Sequence, residues 1–184
     1  TDNGLTSLRE AILAANDDPN MDEIVFADSI AGQTIMLVDG EMLIVQDLKI
    51  TGPDPEGITI DAKNESRIFV ITDEDTVNEA VGNVTNVDEE GRVEVELTRL
   101  KLINSGFGFK SFDENTSAMA GSIGGGAIVT DQNLSLMSME FVDNVSPGAG
   151  GAVLVIGPGV IEKIEDSDFT RNSSENGGAV AAIA

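Results

Sequence analysis

The feature that most constrains the fold of this chain is an internal repeat in its C-terminal half. Residues 141–144 and 169–172 both begin with Phe and end with Asn, and each group is followed by a Gly-Gly-Ala box. The two Phe are 28 residues apart and the two boxes 27 apart, and a third box begins at Gly125, 25 residues before the second. Self-similarity at a period of about 20–50 residues is typical of solenoids. The repeat residues are Phe141, Asn144, Gly150, Gly151, Ala152, Phe169, Asn172, Gly177, Gly178 and Ala179.

Each residue type of the repeat suits a coil of short strands stacked on the next coil. The Phe points inward and stacks on the Phe below, and the Asn lies at a bend where its amide can bond the equivalent Asn, as in amide ladders. Gly-Gly supplies a corner that needs positive φ, and Ala fits where coils approach closely. Gly-Gly-Ala is also common in flexible linkers. Its recurrence at one spacing, followed each time by Ile or Val, favours the stacked coil.

The N-terminal segment predicts a helix over residues 7–15 that closes the first coil. Ser7 and Glu10 form a capping box, and one apolar stripe follows at helical spacing. The period then changes to short strand-like runs bounded by turn residues. Their spacing would also suit an antiparallel sandwich, so periodicity alone does not decide the fold. The runs are 24–26, 34–37, 42–45, 48–51, 58–60 and 68–71.

Two parts of the chain resemble known groups of proteins. The alternation of Phe-x-x-Asn with Gly-Gly-Ala-Ile/Val resembles the polymorphic outer-membrane protein repeat of autotransporter adhesins. The run Ser-Leu-Arg-Glu-Ala-Ile at 7–12, with Ala-Asn at 15–16 and Asp-Glu-Ile-Val-Phe at 22–26, resembles the N-terminal box of a broad class of secreted parallel β-helix proteins. That box is often preceded by Cys, whereas Thr6 stands here. The resemblance implies a β-helix and a surface location, and implies little about function.

The repeat and these resemblances together predict an all-β, right-handed parallel β-helix with a short N-terminal capping helix. We expect a single β-helix domain over 1–184, with the cap at 1–20. The polar segments 73–91 and 105–124 interrupt the rhythm and are expected to be loops inserted at coil corners. Further coils can continue beyond residue 184.

The charge of the chain restricts its partners. Lys and Arg number 10 against 33 Asp and Glu, a net charge of −23. Such a surface repels phosphates, which excludes nucleic acid and disfavours an anionic membrane. No apolar run approaches the 18 or so residues that a membrane span needs. The sequence has no Cys and no His, which removes disulfides, thiolate metal sites and Ser-His-Asp triads.

The acidic residues have two interpretations. They solvate the surface in a saline setting, or clusters of them bind Ca²⁺, a hard ion that takes carboxylate and carbonyl oxygens. Neither cluster matches an EF-hand or the nonapeptide calcium repeat. Ca²⁺ is the one cofactor that the sequence suggests, and the candidate ligands are Asp17, Asp18 and Asp22 near the first coil, and Asp73, Glu74 and Asp75 at the entry to the first insertion.

An enzyme is the alternative to a structural role, because parallel β-helices often host polysaccharide lyases and glycoside hydrolases. Hydrolases need two or three converging carboxylates, and Glu165, Asp166 and Asp168 form the best local group. A solvated strand edge explains the same residues. Sugar sites also favour Trp and Tyr platforms, and the chain has neither. We therefore expect no catalytic residues.

Six of the 13 Asn lie in Asn-x-Ser/Thr sequons, where chance predicts about two. N-glycosylation of a surface protein would explain the excess, and turn chemistry is the alternative. Asn144 and Asn172 are better interpreted as ladder residues. The candidate glycosylation sites are Asn64, Asn83 and Asn115.

The C-terminal residues predict an exposed strand. The run from residue 179 to 184 is apolar, and no charged or helical cap follows within the sequence. An uncovered strand edge is a template for another strand, so we expect it to bind a copy of this chain, head-to-tail or by strand donation, or further coils of the same chain. The residues concerned are Ala179, Val180, Ala182 and Ile183. The expected function is an extracellular structural or adhesive surface module that self-assembles into fibres or contacts cell-surface glycans or proteins, with a passive stalk as a further alternative.

Overall fold

The computed structural model describes residues 6–73, 92–106 and 124–183. These residues form one α-helix, a short 3-10 helix at Asp28–Ile30 and fifteen strands. The helix α1 spans Leu8–Asn16. The strands are β1 Asp22–Val25, β2 Thr34–Met36, β3 Met42–Ile44, β4 Leu48–Thr51, β5 Ile58–Asp61, β6 Phe69–Ile71, β7 Glu94–Thr98, β8 Leu100–Ile103, β9 Ile128–Thr130, β10 Asn133–Met137, β11 Glu140–Val142, β12 Val153–Ile156, β13 Val160–Glu165, β14 Asp168–Thr170 and β15 Val180–Ile183.

The strands build three parallel sheets that the chain visits in turn. Sheet A has the order β1-β4-β7-β10-β13, sheet B has β2-β5-β8-β11-β14, and sheet C has β3-β6-β9-β12-β15. Every pairing within them is parallel. We call one passage through the three sheets a circuit, so the described residues make five circuits. This arrangement is compatible with the expected β-helix or solenoid, and the expectation of a mostly β protein is confirmed.

The helix forms where the sequence predicts it. Ser7 is the N-cap: its Oγ accepts a hydrogen bond from Glu10 N at 3.2 Å, and Glu10 Oε2 accepts one from Ser7 N at 2.8 Å. Leu8, Ile12 and Ala15 are buried against the first circuit. α1 is nine residues long, so none of the helices in the described ranges could cross a membrane.

The inward side chains stack in apolar rows that run through all five circuits. In sheet A one row contains Ile24, Ile50, Leu97, Leu136 and Ile164. In sheet B the matching row contains Ile35, Ile60, Leu102, Phe141 and Phe169. Burial of one such side chain stabilises a fold by about 1.5–3 kcal/mol. The rows are fully buried in the middle circuits and half-exposed only in the first and last.

Sheet C differs from the other two sheets because its central strands are buried on both faces. β6 and β9 have no exposed residue, and Val70, Val129 and Leu154 form a second apolar cluster on the face opposite the main core. The continuous apolar runs of these strands reflect this, since a parallel strand covered on both faces loses the alternation of apolar and polar residues.

The observed strands differ from the predicted runs by one or two residues at their ends. Phe26, Leu37 and Val45 follow strands β1, β2 and β3 rather than belonging to them. Asp73, Ser105 and Gly124, at the ends of the two expected insertions, are buried within the circuits. Most of both segments, 74–91 and 107–123, lies outside the described residues.

Candidate functional site

The repeat residues Phe and Asn form two adjoining stacks inside the fold. The rings of Phe141 and Phe169 are parallel, with an interplanar angle of 2° and centroids 4.7 Å apart. Beside them, Asn144 Nδ2 donates to Asn172 Oδ1 at 2.9 Å, and Asn172 Nδ2 donates to Phe141 O at 2.9 Å. The sequence predicts both stacks, and the structure brings these residues together.

The Asn stack extends one circuit further than the sequence repeat. Asn144 is fully buried, and its Oδ1 accepts hydrogen bonds from Ser105 N at 3.1 Å and Ser105 Oγ at 2.8 Å. Its Nδ2 also donates to Leu102 O at 3.0 Å. Ser105 therefore takes the ladder position of the third circuit. The signal was in the sequence, because Leu102 and Ser105 have the same spacing as Phe and Asn in the repeat.

The two glycines of the middle box have different roles. The first one, Gly150, has φ of +61°, which L-residues with side chains rarely adopt. The second one, Gly151, has no room for a side chain, because a Cβ there would lie 2.0 Å from Gly178 O in the next circuit. Ala152, which follows, is fully buried. The box is thus a corner at which the backbones of successive circuits touch, and Gly177, Gly178 and Ala179 form the last of these corners.

A buried ion pair lies at the same corner in the early circuits. Arg67 Nε is 3.1 Å from Glu41 Oε2, and both side chains are only 7% exposed. Arg67 Nη1 donates to Gly124 O at 3.2 Å, and Arg9 of α1 donates to Glu41 O at 2.9 Å. Burial raises the pKa of Glu41, and the charge of Arg67 partly offsets that rise. The network ties α1 and the first three circuits together, and no sequence pattern pointed to it.

The cleft beside Arg67 is small. It is lined by glycines 106 and 124–126 and by Val145, Ser146 and Pro147, and its volume is about 20 Å³. A water molecule needs a cavity of roughly 10–15 Å³ by the same measure. The cleft therefore has room for about one water and cannot enclose a sugar ring.

A second polar cluster lies where sheet C turns into sheet A. Gln132 Nε2 donates to Asp73 Oδ2 at 3.0 Å and to Asp131 Oδ1 at 2.9 Å, and Gln132 Oε1 accepts from Val93 N at 2.9 Å. Thr72 Oγ1 donates to Asp131 Oδ2 at 3.3 Å. Burial raises the pKa of Asp131, and the negative charge of Asp73 adds to the rise. Asp73 is one of the candidate calcium ligands. Gln132 links it to Asp131, and this link comes from parallel stacking, so it could not be found from local sequence.

The other acidic candidates do not converge. Asp17 is the C-cap of α1, Asp18 accepts hydrogen bonds from Asn20, and Asp22 begins β1. Within the described ranges, no group of three or more acidic residues is placed to hold a metal ion. Glu74 and Asp75 lie outside those ranges.

The carboxylates considered for an enzyme are also separated. Glu165 ends β13 and pairs with Lys163, Asp166 lies in a corner with φ of +48°, and Asp168 begins β14. Asp166 and Asp168 therefore do not lie on one strand. On the outer faces, Lys49 pairs with Glu96 and Lys101 with Glu140, at 2.9 and 2.8 Å.

The sequons divide by exposure. Asn64 is exposed in a turn after β5, whereas Asn144 is buried in the ladder and Asn172 is half-buried there. Asn133, the remaining sequon in the described part of the chain, is half-buried in β10. Asn83 and Asn115 lie outside the described residues.

The residues expected to self-associate are at the last strand of sheet C. Ala179 and Val180 are half-buried, and Ala182 and Ile183 are exposed. Ala182 continues an inward row of the sheet, and Ile183 pairs with Ile156 beside the second apolar cluster.

The chain matches no family model, and no curated protein or solved structure matches it.

Proposed function

We propose that this chain is a right-handed parallel β-helix that serves as an extracellular structural or adhesive surface module. The topology supports the β-helix, because each sheet gains one parallel strand per circuit. Crossover connections between parallel strands are right-handed in about 98% of known cases, which supports the hand. The helix α1 lies against the first circuit, as a cap on such a coil would.

The observation that carries the structural role is how the repeat is used. Phe141 and Phe169 stack, Asn144 and Asn172 bond each other, and Gly151 allows the backbones to touch. All of these residues serve the contact between one circuit and the next. A repeat that is used for stacking yields a long, regular surface, and that is what a stalk or adhesive module requires.

The polar residues support the same role over an enzyme. Two outward carboxylates, Glu96 of sheet A and Glu140 of sheet B, pair with lysines on neighbouring strands, and the cleft beside Arg67 has room for about one water. The exposed sequon at Asn64 suits a glycosylated surface, and the net charge of −23 keeps such a surface hydrated. An extracellular location and glycans at Asn64 are part of this proposal.

The first experiment tests the surface role in the native organism. Intact cells are treated with a membrane-impermeant amine-reactive label, which the exposed lysines of this chain would take up. We expect labelled protein, with a smaller mass after enzymatic removal of N-glycans. Absence of label on intact cells, with full labelling after lysis, would overturn the surface location.

The second experiment separates a surface module from an enzyme. The purified chain is incubated with a panel of neutral and acidic polysaccharides, and both retention on the polymer and release of new reducing ends are measured. We expect no new reducing ends, with retention marking an adhesive module and its absence a stalk. Release that is abolished by Asp168→Asn and kept by Asp18→Asn would make the chain an enzyme and end this proposal.

A further inference from the structure

The candidate glycosylation signal at residues 64–66 is divided by the fold between the surface and the interior. Such a signal consists of the amide of Asn and the hydroxyl of Ser or Thr two residues later. In an extended chain these two side chains lie on the same side, so one enzyme can bind both. Here Asn64 is exposed in a turn with φ of +60°, whereas Ser66 is only 5% exposed. The folded protein therefore presents the amide of the signal without its hydroxyl.

The hydroxyl of Ser66 is held inside by its surroundings. Ser66 Oγ donates a hydrogen bond to Arg67 O at 2.6 Å. The side chain of Arg67 is 7% exposed, and its Nε lies 3.1 Å from Glu41 Oε2. Because Ser66 and Arg67 are adjacent, bringing the hydroxyl to the surface would also disturb this buried ion pair, and breaking such a pair is strongly unfavourable. Opening the signal therefore requires more than the rotation of one side chain.

The third circuit completes this closure. Asn64 N donates to Asn104 O at 2.6 Å, and Gly106 N donates to Ser66 O at 3.2 Å. Gly106 also lies so close that a Cβ there would be 3.6 Å from the Cα and the Cβ of Asn64. Asn104 and Gly106 each follow their partners by 40 residues, so they are synthesised later. Until they dock, the third circuit does not hold the backbone of the signal.

From this geometry we infer that Asn64 receives its glycan on the unfolded chain, before residues 104–106 dock, and that the folded protein is not a substrate. The inference rests on the glycan at Asn64 that belongs to the proposed function. In the transfer, Asn64 Nδ2 forms a bond to the anomeric carbon of a lipid-linked oligosaccharide. The bond from that carbon to the lipid phosphate breaks, the phosphate leaves with the electron pair, and Nδ2 gives one proton to a base. The glycosylated chain then folds, because the side chain of Asn64 is exposed.

The signal at Asn144 provides an internal comparison. Asn144 is fully buried, and its Nδ2 uses both N–H groups by donating to Leu102 O and to Asn172 Oδ1. A sugar on that nitrogen would replace one donor and would have no room in the close-packed ladder. A chain that is glycosylated at Asn144 therefore does not fold, whereas a chain that is glycosylated at Asn64 does.

The test varies the moment at which the transferase meets the chain. The full 184-residue chain is made in a cell-free system, with an oligosaccharyltransferase and its lipid-linked oligosaccharide present from the start or added only after folding. Occupancy of Asn64 is measured by mass spectrometry after the glycan is removed in heavy-oxygen water. A peptide of residues 60–70 in the late reaction controls for enzyme activity, and Ser66→Ala sets the background. We expect occupancy at least about tenfold higher in the early reaction, because a folded chain reacts only while this corner is open.

The outcomes separate the inference from the proposed function. Equal occupancy of Asn64 in both reactions would keep the glycan and overturn its timing, since the folded signal would then be open. Modification of the peptide alone, with the chain unmodified at both times, would overturn the glycan together with its timing. In the early reaction we also expect glycans at Asn144 only in the insoluble fraction. A soluble, folded chain with a glycan at Asn144 would show that the fold does not exclude glycans as the inference requires, and would overturn it.

Discussion

Replacement of Asn144 by alanine should be among the most damaging substitutions in this protein. Asn144 is fully buried, and its amide joins three successive circuits. Its oxygen accepts hydrogen bonds from Ser105 N and Ser105 Oγ, and its nitrogen donates to Leu102 O and Asn172 Oδ1. The substitution removes all four bonds and leaves buried polar groups of Ser105 and Leu102 without a partner.

The size of the effect follows from these contacts. Each buried hydrogen bond contributes about 1 kcal/mol, and a polar group left unsatisfied costs roughly 1–3 kcal/mol. Relaxation of the site recovers part of that cost, so we expect Asn144→Ala to lower the free energy of unfolding by about 3–5 kcal/mol. A typical domain has about 5–15 kcal/mol in all.

The assay is equilibrium unfolding in urea, followed by far-UV circular dichroism. Asn20→Ala is the control, because Asn20 is exposed and its hydrogen bonds go to Asp18 in the same turn, and we expect a change within about 0.5 kcal/mol. Asn172→Ala, at the half-buried end of the ladder, should cost about 1–2 kcal/mol. If Asn144→Ala costs no more than Asn20→Ala, the ladder does not stabilise the fold and the argument fails.

Three further predictions concern the corners and the charges. Gly151→Ala should lower the free energy of unfolding by more than about 3 kcal/mol in the same assay, because its Cβ would meet Gly178 O. Gly157→Ala has open space around it and should lower that free energy by only about 1 kcal/mol, because of the positive φ. Equal losses for the two variants would refute the close approach at Gly151. Burial raises the pKa of Asp131, so the stability that this group contributes is complete below its unfolded pKa of about 3.9 and is lost as pH rises through the higher folded value. The melting temperature should therefore fall as the pH rises above about 4, and fall less in Asp131→Asn; a rise in both would contradict this. If the acidic clusters bind Ca²⁺, CaCl₂ should raise the melting temperature more than NaCl at equal ionic strength, whereas equal effects would mean simple screening of the net charge of −23.

The part of the fold that repeats along the chain could be predicted from the sequence. The capping box predicts the residue at which α1 begins, because Ser7 and Glu10 act within one turn. The Phe and Asn stacks could be predicted because their spacing of 28 residues equals one circuit. Local signals and a fixed period are enough to predict the stacked rows when each contact repeats the previous one.

The polar clusters could not be predicted in this way. Arg67 and Glu41 are 26 residues apart, and Asp73 and Gln132 are 59 apart. Such pairs meet only through the register of the sheets, and the circuits between β4 and β10 have irregular lengths. The same irregularity hid Ser105, which replaces Asn in the ladder where the repeat has Leu102 in place of Phe.

The corners between sheets A and B determine where this chain tolerates added length. In the last three circuits these corners contain one or two residues, and the first of them, Arg99, Ser138 or Asp166, has φ of 52°, 52° or 48°. Both long segments outside the described residues occur at other corners, between sheets C and A and between sheets B and C. One residue inserted at Arg99 would turn the inward side chains of β8 outward. A peptide grafted at Gly157, where the surroundings are open, would leave every strand in register, so a display scaffold made from this protein should carry its cargo there.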